Sequence, residues 1–517
     1  METLTIKLKQ HTPIIHFQHD QDGATLRGSD VKPRLDKFIL TRLGGNPTHE
    51  QKQKGQKAWE NYKTNFNKGK KKQDQEQRTF DELTPYKKGT FIAKAFGWLV
   101  GKGDYPALNY KMKIVLSDNS ARTEYLLASF IKKDDLQILN SCGIMAISNT
   151  PFFAQEKQNK AIIEECQKLS KHNENTTSNS KKEPIKWNAI EKKGIIESGY
   201  VIVSILSDID ALLDRIKDNI QAFFVANNFG SRQSKGFGCF QLMEIVHNNC
   251  TVKLKQNNEK LLRQEFSVVY KRTGKSSSDI CKILQTINND YKLLKSGINT
   301  PSQYKKSVLF DYFIGKHIRW EKRKIKQCIK TQGFSLKCTL APIYGSNVNT
   351  DKGWDDPKEF QYAFIRALLG MSSNYEFQLI RGSDKDTIIV SVLLKGEEIK
   401  DPSKEKAEDF ATILGDNNVK HYYKFSSDIE RYRSPLMFKV IGQDIYLVGN
   451  EVSNEIKAKD FIFRIHDYRQ GKTVSPLPKE QQKDIILSTP SNFSIAEFMN
   501  FACSRISYNS CTQNTPQ

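Results

Sequence analysis

An α+β protein with more than one domain is predicted by three features of the sequence. Segments of alternating polarity and segments of helical spacing take turns along the chain. A glycine-punctuated loop separates one such helix from the strand that follows it. The 517 residues also exceed what a single hydrophobic core serves, so two or three domains are expected.

In the first half, Leu4, Ile6 and Leu8 alternate with Thr5, Lys7 and Lys9, as in a half-buried strand opening at Thr3. Thr12-Pro13 bends the chain and residues 14–17 resume it. Ser29 or Asp30 is placed to cap a helix, with Pro33 in its first turn and Leu35, Phe38 and Ile39 on its buried face. Residues 49–82 are rich in Lys, Gln and Asn and almost without apolar periodicity. They read as an insertion, a solvated helix or a partly disordered segment. Gly89 to Leu99 is apolar and packs. Tyr110 to Leu116 alternates as a strand, and 123–130 is a strand or a short helix. Ile162, Ile163, Cys166 and Leu169 mark a short helix before a polar, exposed tract.

Tyr200 to Leu206 is the strongest strand signal. Asp208 then starts a helix on which Ile209, Leu212, Leu213, Ile216, Ile220, Phe223 and Phe224 recur at 3.6-residue spacing. The glycine loop comes next, and a strand begins near Phe237. The resulting βα…βαβ order is that of a ferredoxin-like fold carrying insertions.

The second half repeats the theme more loosely. Helical spacing is expected over 260–271 and 279–295, and 305–330 is strongly basic around RWEKRKIKQ. A strand pattern follows over 334–341. A helix is expected from Pro357 carrying Phe360, Phe364, Ile365, Leu368 and Leu369. Strands are expected at 375–380 and 387–394, a helix over 401–414, and a hairpin turning at Gly442. The domains expected are 1–250 with the loop 230–238 and the insertion 45–90, a basic helical segment 251–332, a C-terminal domain 333–508, and a polar tail 509–517.

Lys and Arg number 80 against 58 Asp and Glu, a formal charge of +22 and a pI near 9.3. Such a surplus suits a polyanion, nucleic acid first. A Lys-, Asn- and Ile-rich composition is the plainer alternative. No long apolar stretch points to a membrane, and Met1 to Lys9 has no signal-peptide core, so a cytoplasmic protein is expected. The nine cysteines form no CxxC pair, and no histidines stand at zinc spacing. Reduced thiols without disulfides or a structural metal are expected.

The candidate binding residues fall in three places. Gly230, Ser231, Arg232, Gln233, Lys235 and Gly236 combine a pliable backbone with cationic and neutral donors, which suits a phosphate chain. Arg27, Ser29, Lys32 and Arg34 surround a helix start whose free N–H groups favour a phosphate, although an ordinary capped helix reads the same way. Arg431, Arg433 and Lys439 flank Ser434-Pro435 as a second basic locus, or as a plain strand entry.

RTGKSSSD resembles a phosphate-binding loop only at its end, since Val269 stands where the first glycine belongs. His16, His19, Asp20 and Asp22 share one loop. They suit acid–base work on an RNA 2′-hydroxyl, or they are simply a solvated polar loop.

GATLRGSDVKPRLDKF resembles the helix start of the RAMP superfamily, and GSRQSKGFGCF its glycine-rich loop between the second helix and last strand of a ferredoxin-like domain. Here Pro33 stands where a glycine is usual, and the second domain has no clear glycine-rich loop of its own. Two RAMP-like (RRM-like) domains, the size and the Arg-x-Arg-Ser-Pro-Leu element at 431–436 are most similar to the two-domain first subunit of the Cmr, type III-B, CRISPR effector. The resemblance implies a non-enzymatic RNA-binding subunit without cofactors. It would cap the assembly near the 3′ part of the guide RNA and contribute to target RNA capture in antiviral defence. Its partners would be guide RNA, target RNA as a further candidate, and other Cmr RAMP subunits. The rival it implies is an endoribonuclease acting through His16, His19, Asp20 and Asp22.

Overall fold

The structure, a computed structural model, describes residues 2–15, 26–71, 74–101, 106–128, 131–149, 161–168, 194–248, 250–254, 257–273, 277–299, 304–336, 360–379, 386–406, 409–415, 419–426, 432–471 and 473–511. The chain divides into two units. The first comprises Met1–Glu265, Ser276–Gln285 and Phe438–Tyr446, and the second Phe266–Lys275, Thr286–Met437 and Leu447–Gln517. The stretch 251–332, expected as a segment of its own, is shared between them.

In the first unit, β1 (Glu2–Gln10) takes the centre of an antiparallel sheet. After it come α1 (Gly28–Gly45), α2 (His49–Asn67), α3 (Pro85–Ala95), β2 (Lys111–Leu116), β3 (Tyr200–Ser207), α4 (Asp210–Ala226), β4 (Phe240–His247) and β5 (Cys250–Lys253). The strands lie in the order β5-β4-β1-β3-β2. Leu4, Ile6 and Leu8 pair with Ile205, Val203 and Val201, so these alternate residues share one buried face. Ile6 and Leu8 also face Ile245 and Leu242 of β4. A one-residue slip would turn that face to solvent, so the apolar alternation fixes the register.

The helix α4 packs onto the same core with Leu212, Leu213, Ile216, Ile220, Phe223 and Phe224 buried. Each such side chain contributes about 2 kcal/mol of burial. Three expectations for the first unit change. The helix α1 starts at Gly28 with Arg27 as its N-cap and no side-chain cap. Ser29 and Asp30 therefore lie inside its first turn, and neither caps it. Pro33 sits beyond that turn and removes one helical hydrogen bond. The last strand begins at Phe240, not near Phe237, because residues 237–239 belong to the loop described below.

Within the insertion, His49–Asn67 forms the helix α2, with a capping box between Thr48 and Gln51. Its solvated character holds, but Trp59, Tyr62 and Phe66 form a stacked row on one side. Trp59 and Tyr62 also meet Phe91 of α3. Residues 122–127 are a strand, paired with Gly194–Glu197. Residues 161–168 are helical, with Ile162 and Cys166 in a small satellite core. The polar tract expected after them lies outside the described residues.

The second unit contains β6 (Ile318–Trp320), α5 (Glu321–Thr331), β7 (Gln361–Ala363), β8 (Asn374–Gln378), β9 (Thr387–Glu398), β10 (Phe410–Leu414), β11 (Lys420–Ser426), β12 (Asp460–Gln470), β13 (Thr473–Pro476) and β14 (Lys483–Ser488). Its main sheet runs β10-β11-β9-β12-β13, with β8 added on β9 and β14 on β12.

Three helices expected in the second half are not formed as read. The helical pattern at 260–271 stops at Glu265, and Val268–Arg272 is a strand, as its Val-Val-Tyr run favours. Residues 360–369 form β7 and a 3₁₀ turn over Ile365–Leu369, because Phe360, Tyr362 and Phe364 follow the period of a strand. Residues 401–414 form a short 3₁₀ turn and β10. The hairpin of Leu436–Ile441 and Asp444–Gly449 turns at Gly442 as expected, with φ +63° there. Of the strand read at 334–341, residues 337–341 lie outside the described residues, and Leu336 forms only an isolated bridge to Leu379. No helix among the described residues is long and apolar enough to cross a membrane.

Candidate nucleic-acid interface

The glycine loop leaves α4 at Asn227 and returns to the sheet at Phe240. Its ends are tied together, since the Phe229 N–H donates to the Gly238 carbonyl at 2.9 Å. The loop is also tied to the segment after β1. Ser231 N–H donates to Ile15, Gly238 N–H to Pro13, and Cys239 N–H to the Thr12 hydroxyl. Gly238 has φ +66°, and a Cβ there would lie 1.9 Å from the Phe229 carbonyl oxygen. Gly230, at φ +76°, would meet the Ile15 carbonyl oxygen at 2.5 Å. Glycine is required at both positions by the close approach and the left-handed backbone together.

Arg232 holds the same left-handed conformation, at φ +59°, although it is not glycine. That conformation costs a non-glycine residue on the order of 1 kcal/mol. A half-exposed arginine is thus held at a site where glycine would be easier.

The loop rests on the tip of the 436–449 hairpin, whose residues Phe438–Tyr446 belong to the same unit. Phe438 N–H donates to the Ser234 carbonyl at 3.1 Å. Asn228 Nδ2 donates to the carbonyls of Gln233 and Phe438, at 2.8 and 2.9 Å. Lys439 is completely buried, and its Nζ donates at 2.7 Å to both Phe224 and Asn227 carbonyls. It therefore caps the C-terminal end of α4 as a cation at the negative end of the dipole. Burial pulls its pKa down to about 8. The expected basic surface locus around Lys439 is corrected by this burial. His11 is half-buried and pulled down to about 4, mainly by desolvation. Neutral at pH 7, it accepts the Gly442 N–H at Nδ1 and meets Gln241 through Nε2.

The helix start and the glycine loop are brought into contact. Arg34 donates through Nη1 to the Asn228 carbonyl at 2.9 Å, with its guanidinium 5.6 Å from the Phe229 ring. Partial burial lowers it from the ordinary arginine value, opposed by Asp30. Arg34 acts here as a strut inside the protein. Lys32 is likewise engaged, donating to Asp36 at 3.0 Å and the Leu108 carbonyl at 2.9 Å, with its Nζ over the Tyr110 ring. Gln233 turns its amide back to the Gly230 carbonyl at 2.6 Å. Lys235 is 7% exposed, and Gly236 is buried.

Of the candidates in the first unit, Arg27, Ser231 and Arg232 are half-exposed and Ser29 is exposed. Lys32, Arg34, Gln233 and Lys235 shape the site from within. Arg433 is exposed in the second unit, while Arg431 lies outside the described residues, as do His16, His19, Asp20 and Asp22. Asn228, Phe438 and the brace through Lys439 were not found by sequence reasoning. Only the Asn227-Asn228 pair before the loop hinted at a side chain crossing it. Among the described residues no His, Cys, Asp and Glu group could hold a metal.

Two family models match the chain: the Cmr1 N-terminal domain over residues 1–298 and the Cmr1 C-terminal domain over residues 304–517. No curated protein matches it. Among solved structures it is similar to Cmr1 from Pyrococcus furiosus in its apo form, at 11% identity over 99% of this chain and 98% of that one, TM-score 0.32. It is also similar to a chain of the type III-B Cmr-beta bound to cognate target RNA, at 11% identity over 87% and 94%, TM-score 0.32.

Proposed function

Because the chain belongs to the Cmr1 family, we propose that it is the RNA-binding structural subunit of a type III-B (Cmr) CRISPR ribonucleoprotein. It caps the assembly near the 3′ end of the guide RNA, contributes to target RNA capture, and works in the cytoplasm. It binds RNA without cutting it and needs no cofactor. Its partners are guide RNA, target RNA and the other Cmr RAMP subunits. The first unit supports a ferredoxin-like, RAMP-type reading. β1 to β4 stand in the order β4-β1-β3-β2, all antiparallel, with α1 following β1 and α4 following β3.

The observation that carries the reading is Arg232, a half-exposed cation retained in a left-handed backbone conformation on a braced loop. The loop's own hydrogen bonds hold that conformation, so the guanidinium is pre-positioned for a phosphate. Arg27 and Ser29 at the open start of α1, and Ser231 beside Arg232, complete the contact. Since such contacts read the backbone, binding is sequence-independent and steeply salt-dependent.

Arg232→Gly separates the ligand contact from the fold. Glycine relieves the strained backbone, so the melting temperature should hold or rise slightly. Affinity for single-stranded RNA should fall several-fold, and the log–log salt slope should become shallower by about 0.7, one phosphate contact. Unchanged affinity and slope would show that the loop does not hold RNA.

A further inference from the structure

The sheet of the first unit has a second face that takes no part in the core. Leu4, Ile6 and Leu8 of β1 are completely buried, as are Val201, Val203 and Ile205 of β3. The residues between them point the other way. On β3 these are Tyr200, Ile202, Ser204 and Leu206, and all four are half-exposed although β3 is an inner strand.

The cross-strand register sets one lysine beside each of them. On β1, Lys9 is opposite Tyr200 and Lys7 opposite Ile202. On β2, Lys113 is opposite Ser204 and Lys111 opposite Leu206. Alternate residues of a strand repeat at about 6.6 Å, so a cation accompanies β3 at each such step. The first two stand on one side of the strand and the last two on the other. Lys7 Nζ lies 4.3 Å from the Tyr200 ring. Among the five strands only Glu244 brings a carboxylate to this face, opposite Lys7 and Lys253. None of the four lysines makes an ion pair with a described residue.

Lysine is depleted in strands. On β2, an edge strand, it would serve to keep other strands from pairing. β1 lies at the centre of the sheet, so protection of an edge does not account for Lys7 and Lys9. The row also reaches the loop site. Lys9 is opposite Gln241, one residue past the point where the glycine loop returns to the sheet.

A line of cations along a flat lane of apolar and aromatic side chains has the chemistry of a single-strand path, with phosphates on the cations and bases on the lane. A protein packed on this face would have to desolvate the lysines of two strands against their solvation cost.

We propose that the open face of this sheet carries single-stranded RNA along β3, from the glycine loop toward Leu206. Lys9, Lys7, Lys113 and Lys111 neutralise phosphates, and Tyr200 stacks a base. The proposal rests on the RNA-binding reading above and extends its path. The test is a salt-series titration of the full chain with fluorescein-labelled polyuridine RNA. The variant K9Q/K111Q/K113Q changes exposed side chains only. It should bind at least tenfold more weakly at physiological salt, with the log–log slope shallower by about 2. The control K406Q/K420Q/K479Q removes three exposed lysines from the second unit and should bind as the wild type does. Tyr200→Leu should weaken binding roughly tenfold with the slope unchanged, since stacking releases no counterions. Melting curves matching the wild type establish that the variants fold.

If K9Q/K111Q/K113Q keeps its affinity and slope while Arg232→Gly loses both, this proposal falls and the loop reading stands. If neither variant changes binding, both fall. If the second-unit control loses as much as K9Q/K111Q/K113Q, the loss is one of bulk charge and the proposal falls. If K9Q/K111Q/K113Q binds RNA normally but drops out of the reconstituted Cmr complex, the face docks a protein and the proposal is overturned.

Discussion

Lys439→Ala should be among the most damaging single changes in the first unit, at about 3 kcal/mol and roughly 5 °C in the melting of that unit. The substitution removes a completely buried side chain whose Nζ serves the Phe224 and Asn227 carbonyls at the end of α4. It leaves a cavity and two carbonyls without that donor. The loop then loses its support from below, so RNA binding should fall with stability. Lys439→Met keeps the stem's volume and removes the buried charge, so it should cost only about 1 kcal/mol at pH 7.

The pH dependence distinguishes the two effects. The folded pKa near 8 lies below the ordinary 10.5, so burial penalises the protonated form. That penalty is present in full below pH 8 and is relieved as pH rises through 8 toward 10.5. The wild type should therefore gain stability relative to Lys439→Met between pH 7 and pH 9.5. Melting curves of the pair check this, and a relative loss over that range would contradict a buried cation at this site.

Gly238→Ala should cost more than about 3 kcal/mol, enough to lower the yield of soluble protein. Its φ of +66° opposes any Cβ, and the Cβ would sit 1.9 Å from the Phe229 carbonyl oxygen. Both hydrogen bonds that close the loop there, to Phe229 and Pro13, would have to open. Gly442→Ala is the matched comparison. Its φ is +63°, but no atom lies within 4 Å of the added carbon, so the cost should be about 1 kcal/mol. Equal losses in the two variants, measured by thermal unfolding, would mean that the loop is not closed as described.

The parts of this fold that local pattern could express were legible. The run from Tyr200 to Leu206 and the 3.6-residue spacing from Leu212 to Phe224 each name their element without help from the rest of the chain. The glycine loop was legible because glycine and basic residues are rare together between a helix and a strand. Residues 360–369 were misread because Phe360, Phe364, Ile365 and Leu368 satisfy helical spacing, while Phe360, Tyr362 and Phe364 satisfy a strand. Only tertiary pairing with β6 decides between them.

The site was half legible for a different reason. Composition shows that a cation is present but not what it faces. Lys32, Arg34 and Lys439 read as surface charge, yet each is engaged with carbonyls, an aromatic ring or a carboxylate inside the unit. Lys439 meets its partner Phe224 across 215 residues of chain, a separation at which no spacing rule operates. Arg232 was named as a ligand contact from its charge, but its left-handed backbone is visible only in the folded loop.

The most direct measurement is photocrosslinking of guide RNA in the reconstituted Cmr complex, with the adducts mapped to peptides of this chain. The account predicts adducts within 227–240 and within 26–34, and their loss from the loop in Arg232→Gly. Guide RNA that crosslinks to this chain only outside both stretches would contradict it.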